Sequence, residues 1–137
     1  MANEISADRA FMMTHQLQRL NCAGMLVINN DAQSFPTIYS DNGERILFDN
    51  ILCDVPCSSD AVLRKLPQKW KSWTPRDSFS LHKLQLLILK RGISLLKTGS
   101  CILYSTCSLN PIEVSCLLIR MKLLLQKFLE HIKAVLN

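Results

Sequence analysis

Six cysteines stand at positions 22, 53, 57, 101, 107 and 116, yet no C-x-x-C pair occurs, and the three histidines, 15, 82 and 131, complete no zinc spacing. A structural zinc site is therefore excluded as the reason for the cysteines. No signal peptide precedes them, so a secreted disulfide framework is not expected, and the thiols read as reduced and intracellular. Glycine is scarce at four residues, and no glycine-rich loop precedes the first helical segment. The longest apolar run, near the C-terminus, is broken by Arg120, Lys122 and Lys127, which removes it as a membrane span. Internal repeats and low-complexity segments are also lacking.

What is there fits one α/β domain at most. The chain has 137 residues, 48% of them hydrophobic, which is enough to bury a core. Its net charge of +5 is compatible with nucleic acid but also with much else. Ala7 to Leu20 reads as a helix capped by Ser6, with Phe11, Met12, His15 and Leu20 as an apolar face. Met25 to Ile28 reads as a short strand, followed by Asn29-Asn30-Asp31. Asp31 suits either a turn or the recognition of a ribose or an adenine amine. Thr37 to Asp49 reads as a hairpin around Asp41-Asn42-Gly43. Ile51 to Cys53 is the next core strand. A basic cluster follows, Arg64, Lys65, Lys69 and Lys71, interleaved with Trp70 and Trp73. The tryptophans suit either a stacked base or anchorage of the loop to the core. Thr74 and Pro75 start a helix expected to run to about Lys97 and end at Gly99, with Leu81, Leu84, Ile88 and Leu95 at helical spacing. Cys101 is expected to be a buried small hydrophobe. The alternation of helices and strands predicts a parallel sheet.

Two stretches carry chemistry. Ile51-Leu-Cys-Asp-Val-Pro-Cys57 and Ile102-Leu-Tyr-Ser-Thr-Cys107 are each an apolar strand, expected to be buried, with a cysteine just beyond its end. After the second, Asn110 is a helix cap, Pro111 suits the first turn, and Glu113 stands at the capping-box position. A cysteine before a helix N-terminus favours its thiolate. Ligands of open α/β sheets collect beyond the carboxyl ends of strands.

The pair Asp54-Val-Pro-Cys57 and Ser105-Thr-Cys-Ser-Leu-Asn-Pro-Ile-Glu113 resembles the Sun (NSUN) family of S-adenosylmethionine-dependent RNA cytosine-5 methyltransferases, and within it the eukaryotic tRNA-modifying branch. The resemblance runs from about Ala2 to Glu113. It implies a partial Rossmann-like sheet carrying strands 3, 4 and 5 of the family order, with flanking helices. Residues 1–113 would be a partial catalytic domain and 114–137 a divergent Leu-rich helix that suits a protein partner through 114–136. It implies Cys107 as the nucleophile on cytosine carbon 6, Cys57 as the group that assists adduct release, and Asp54 as a contact to the base and the methyl donor. Glu4, Arg9, Asp31 and Asp54 would bind S-adenosylmethionine, and Arg64, Lys65, Lys69 and Lys71 would meet RNA, with tRNA as the substrate. The implied location is the nucleus or nucleolus, with cytoplasm the alternative.

The chain also departs from the family pattern. The family's cofactor loop after its first strand has no counterpart, no strand is expected before the first helix, and two family glycines after Cys57 are replaced by Ser59 and Ala61. The competing reading of the same residues is a catalytically inactive, truncated derivative that binds RNA or a partner protein, or has no selected role.

Overall fold

A computed structural model describes residues 1–21 and 24–114. The expected Leu-rich helix over 114–137 lies outside them, save for Val114. The described chain is built from two β-α-β passages. Strand β1 (Ala2–Asn3), helix α1 (Ala7–Arg19) and strand β2 (Val27–Ile28) form the first. Strand β3 (Phe48–Asp54), the short helix α2 (Lys69–Ser72), helix α3 (Pro75–Ser94) and strand β4 (Leu96–Ser105) form the second. Each passage makes a two-stranded sheet. β1 and β2 are parallel, with Ala2 opposite Val27 and Asn3 opposite Ile28. At one end of the β3–β4 pair Phe48 N–H donates to Leu95 C=O, and at the other Val55 N–H donates to Ser105 C=O. Both registers rise together, which is the signature of a parallel pair and the reason a helical crossover joins the strands.

Contacts divide the chain into two units. The first comprises Met1–Ile51 with Ile88–Ile102, and the second Leu52–Leu87 with Leu103–Asn137. The first unit buries Ala10, Phe35, Leu89 and Leu95. In it Arg91 holds the segment before β3, donating from Nε to Phe35 C=O at 2.6 Å and from a terminal nitrogen to Thr37 Oγ1 at 3.0 Å. Ser6 caps α1 by accepting from Arg9 N–H, a bond worth about 1 kcal/mol. The second unit is unusual in what it buries. Beside Cys53 and Val55 lie five polar residues, Ser58, Ser78, Gln85, Ser108 and Glu113.

Several expectations are corrected. Ala2–Asn3 is a strand, so the first helix is preceded by one after all. The packed stripe of α1 is Ala10, Met13, Thr14 and Leu17, while Phe11, Met12 and Leu20 are exposed. The hairpin shrinks to one antiparallel bridge, Tyr39 with Arg45, closed by Gly43 at φ 77°. Phe48 pairs instead with the start of β4, because a parallel partner satisfies its backbone N–H. Helix α3 ends at Ser94 rather than near Lys97, and Gly99 lies inside β4 at φ 82°. β4 is not buried on both faces: Leu103 is 62% exposed, and Cys101 is exposed rather than buried. In a two-stranded sheet the alternate side chains of β4 have no further strand beside them among the described residues, so apolar character alone does not bury them.

Candidate active site

The second unit brings the two cysteine stretches together. Asp54 is the last residue of β3 and its side chain is exposed. Val55 N–H still pairs with Ser105, but Pro56 donates nothing and the chain turns away. β4 ends at Ser105, and Thr106 to Asn110 form the facing loop before a helical turn at residues 111–114. Ala61 N–H donates to Cys107 C=O at 3.2 Å, and Leu109 N–H donates to the Asp60 carboxylate at 2.9 Å. The two loops are thus laced by backbone as well as side chains.

Between them Cys57 Sγ and Cys107 Sγ lie 2.9 Å apart, both as free thiols. Two sulfurs at that distance share one proton most favourably, and they titrate as a pair. Burial works against the Cys57 thiolate, but hydrogen bonds from Cys107 and Thr106, and backbone bonds from Cys107 and Ser59, outweigh it and lower its pKa. The Cys107 thiol is pushed up, first by its hydrogen bond to Cys57. The lowering expected at Cys107 from a helix N-terminus does not appear: of the paired thiols, Cys57 is the one that is lowered, where the donors converge. Ser59 borders both sulfurs. Its hydroxyl is 3.8 Å from Cys57 Sγ and accepts from Cys107 Sγ at 3.6 Å. Its φ of 61° is left-handed, the conformation for which glycine is the usual residue.

Beneath the pair lies Glu113, 1% exposed. One carboxylate oxygen accepts from Ser58 N–H at 3.1 Å and from Gln85 Nε2 at 2.7 Å. The other accepts from Ser108 Oγ at 2.9 Å. Gln85 also donates to Pro56 C=O at 2.8 Å. Its Oε1 is buried without a partner, so donation alone fixes the amide. Burial would raise the Glu113 pKa, but hydrogen bonds from Ser58, Ser78, Gln85 and Ser108 lower it to about 2. The capping box expected at Glu113 does not form. Asn110 does cap the turn, accepting from Ile112 N–H at 3.0 Å, but its own N–H goes to Ser108 Oγ.

The other predicted residues lie elsewhere. In the first unit Glu4 directly follows β1 and Asp31 follows β2, so two carboxylates stand beyond the carboxyl ends of adjacent parallel strands. Glu4 accepts from Ser6 N–H and pairs with Arg9 at 3.0 Å. Asp31 accepts from Gln33 through both oxygens, at 3.1 and 2.7 Å. Each carboxylate keeps accepting capacity, and that pair of acceptors at strand ends fits the donors of ribose hydroxyls and an adenine amine. Arg9 acts here on Glu4. In the second unit Arg64, Lys65 and Lys71 are exposed, and Arg64 and Lys65 help line an open depression of ≈ 430 Å³ with Ala61 and Val62. Lys69 is turned inward and donates to Ser58 C=O at 3.1 Å. Trp70 is 66% exposed, whereas Trp73 is half-buried. Among the described residues no cluster fit to hold a metal ion occurs, and no helix is long and apolar enough to cross a membrane.

Sequence reasoning missed Ser58, Ser78, Gln85 and Ser108. One signal was available: Ser78 and Gln85 are seven apart, on one face of a Leu-rich helix.

The family profile described as 16S rRNA methyltransferase RsmB/F matches residues 1–133. The multisite-specific tRNA:(cytosine-C(5))-methyltransferase of Saccharomyces cerevisiae is 51% identical over 118 residues, 82% of this chain and 17% of that protein. The tRNA (cytosine(34)-C(5))-methyltransferase of Drosophila melanogaster is 45% identical over 117 residues, 82% of this chain and 16% of that protein. The chain thus spans less than a fifth of the length of these curated relatives. The crystal structure of NSun6 from Pyrococcus horikoshii, solved with SFG, superposes with a TM-score of 0.70 at 27% identity, over 87% of this chain and 29% of that one. The fold is therefore a partial Rossmann-like methyltransferase fold.

A depressed carboxylate pKa stabilises the fold above the unfolded value of 4.5 and ceases to do so as pH falls toward about 2. Wild-type stability should fall by roughly 2–3 kcal/mol across that window. In urea unfolding, Glu113→Gln should be less stable than wild type near neutral pH, and the gap should narrow below about pH 4. An equal gap at all pH values would mean that Glu113 is not a buried anion.

Proposed function

The chain belongs to the RsmB/F methyltransferase family, and on that premise we propose that it carries the catalytic centre of an RNA cytosine-5 methyltransferase acting on tRNA. The observation that carries this reading is the 2.9 Å approach of Cys57 and Cys107. Carbon 5 of cytosine is a poor nucleophile. Addition of a Cys107 thiolate at carbon 6 converts the ring to an enamine, whose carbon 5 can then take up a methyl group. The Cys107 thiol gives up its proton to solvent as the base arrives. Asp54, exposed at the end of β3, offers a carboxyl to ring nitrogen 3, where charge develops on addition. Once Cys57 has passed its proton to solvent, it removes the proton from carbon 5. The electrons of that C–H bond restore the double bond and expel Cys107.

S-adenosylmethionine, when bound, would supply the methyl group. Glu4 and Asp31 would hold its ribose and adenine, with Arg9 fixing Glu4, and the family resemblance assigns Asp54 too to the methyl donor. Arg64, Lys65 and Lys71 would meet the RNA backbone, and exposed Trp70 would stack on a base. Lys69 serves the loop instead. A nuclear or nucleolar location, with cytoplasm the alternative, goes with a tRNA substrate.

Incubation with labelled methyl donor and tRNA tests the chemistry. Wild type should transfer label. Cys107→Ala should transfer none and form no covalent RNA adduct, while Cys57→Ala should accumulate an adduct that survives denaturation. An adduct in Cys107→Ala, or no transfer by wild type at stoichiometric enzyme, overturns the reading. Thermal unfolding tests the cofactor separately. S-adenosylmethionine at a hundredfold excess over its Kd should stabilise the chain by about 2.7 kcal/mol, Glu4→Ala should abolish the shift, and an unshifted wild-type midpoint would refute binding.

A further inference from the structure

We propose that Glu113 is a positioning residue that sets the distance between the two thiols by clamping the residue after each of them. The inference rests on the reading of Cys57 and Cys107 as the reactive pair. Ser58 directly follows Cys57 and Ser108 directly follows Cys107. The two oxygens of one carboxylate divide between them, one taking Ser58 N–H at 3.1 Å and the other Ser108 Oγ at 2.9 Å. The serine hydroxyls themselves meet at 3.3 Å. All three residues are buried, at 1%, 6% and 1% exposure for Ser58, Ser108 and Glu113. Ser58 N–H is one peptide bond from Cys57, and Ser108 Oγ is carried by the residue bonded to Cys107, so the S–S distance follows the clamp.

The partners explain why a carboxylate suits the position. Glu113 accepts from a backbone amide, a side-chain amide and a serine hydroxyl. A neutral amide would keep one oxygen for Ser58 N–H and Gln85 but turn an NH2 toward Ser108, whose hydroxyl would have to reverse from donating to accepting, and the negative charge would be lost. Gln85 adds a second link, tying the same carboxylate to Pro56 C=O on the other side of Cys57. The loop is thereby gripped on both sides of its cysteine. The competing ties, Ala61 to Cys107 and Leu109 to Asp60, lie farther along the first loop and at its edge.

The readout is the rate at which diamide joins the two thiols in the full chain. Each thiol gives up a proton and one electron, an S–S bond forms, and the diazene is reduced to the hydrazine. Peptide mapping identifies the Cys57–Cys107 bond among the other cysteines. Wild type should close it rapidly, and Glu113→Gln should slow closure about tenfold or more, since misplacement of reacting atoms by about an ångström is that costly. Ser108→Ala, which keeps the Ser58 bond, should slow it less and decides the matter if Glu113→Gln does not fold. Arg91→Ala, which loosens the first unit, should leave the rate unchanged, as should all variants the alkylation of exposed Cys101; loss of stability alone is thus separated from loss of position. Wild-type rates in both Glu113→Gln and Ser108→Ala overturn the clamp and assign the spacing to the backbone ties. A wild-type chain that closes the bond rapidly but transfers no methyl group overturns the methyl-transfer reading and leaves the clamp standing.

Discussion

The second unit depends on one buried anion. Glu113 is surrounded by hydrogen-bond donors drawn from three places in the sequence: the loop after β3, helix α3 and the loop after β4. Burying a lone carboxylate is expensive, and it is tolerated only where fixed dipoles replace the lost water. Here they do, and the pKa falls instead of rising. A hydrophobic cluster of similar size would have held the segments together without fixing their register. Directional bonds to Ser58 and Ser108 set the residues that follow the two cysteines against one carboxylate.

The thiol pair is the consequence. Sulfurs this close resist ionising together, so the two thiols titrate as a pair. Donors gathered around Cys57 lower its thiol, and the contact with Cys57 pushes the Cys107 thiol up. Ser59 adds a hydroxyl beside both sulfurs at the cost of a left-handed backbone. A serine where the resemblance expects glycine therefore changes the immediate surroundings of the thiols, not only the loop's flexibility.

Much of this was legible in the sequence. The cysteine-bearing strand ends, the caps at Ser6 and Asn110, the turn at Gly43 and the parallel sheet could all be read, because each has a local chemical signature. What could not be read was burial. β4 is as apolar as a core strand, yet Leu103 and Cys101 face outward, since exposure depends on neighbours that a single strand does not specify. The opposite error hid the Glu113 network. Ser58, Ser78, Gln85 and Ser108 look like ordinary solvent-facing residues, and only their convergence on one carboxylate makes them interior. Glu113 was noticed for a capping role that any helix start would suggest. Its long-range partners, up to 55 positions away, outcompeted the local one.

The most direct test of the central claim is hydrogen exchange at a single amide. Ser58 N–H, in a loop, should exchange far more slowly than a free loop amide at neutral pH, because it is buried and bonded to Glu113. In Glu113→Gln that protection should fall away while the amides of α1 keep theirs. Exchange of the wild-type Ser58 amide at an open-loop rate would contradict the account, since nothing would then tie the two cysteine loops to a common carboxylate.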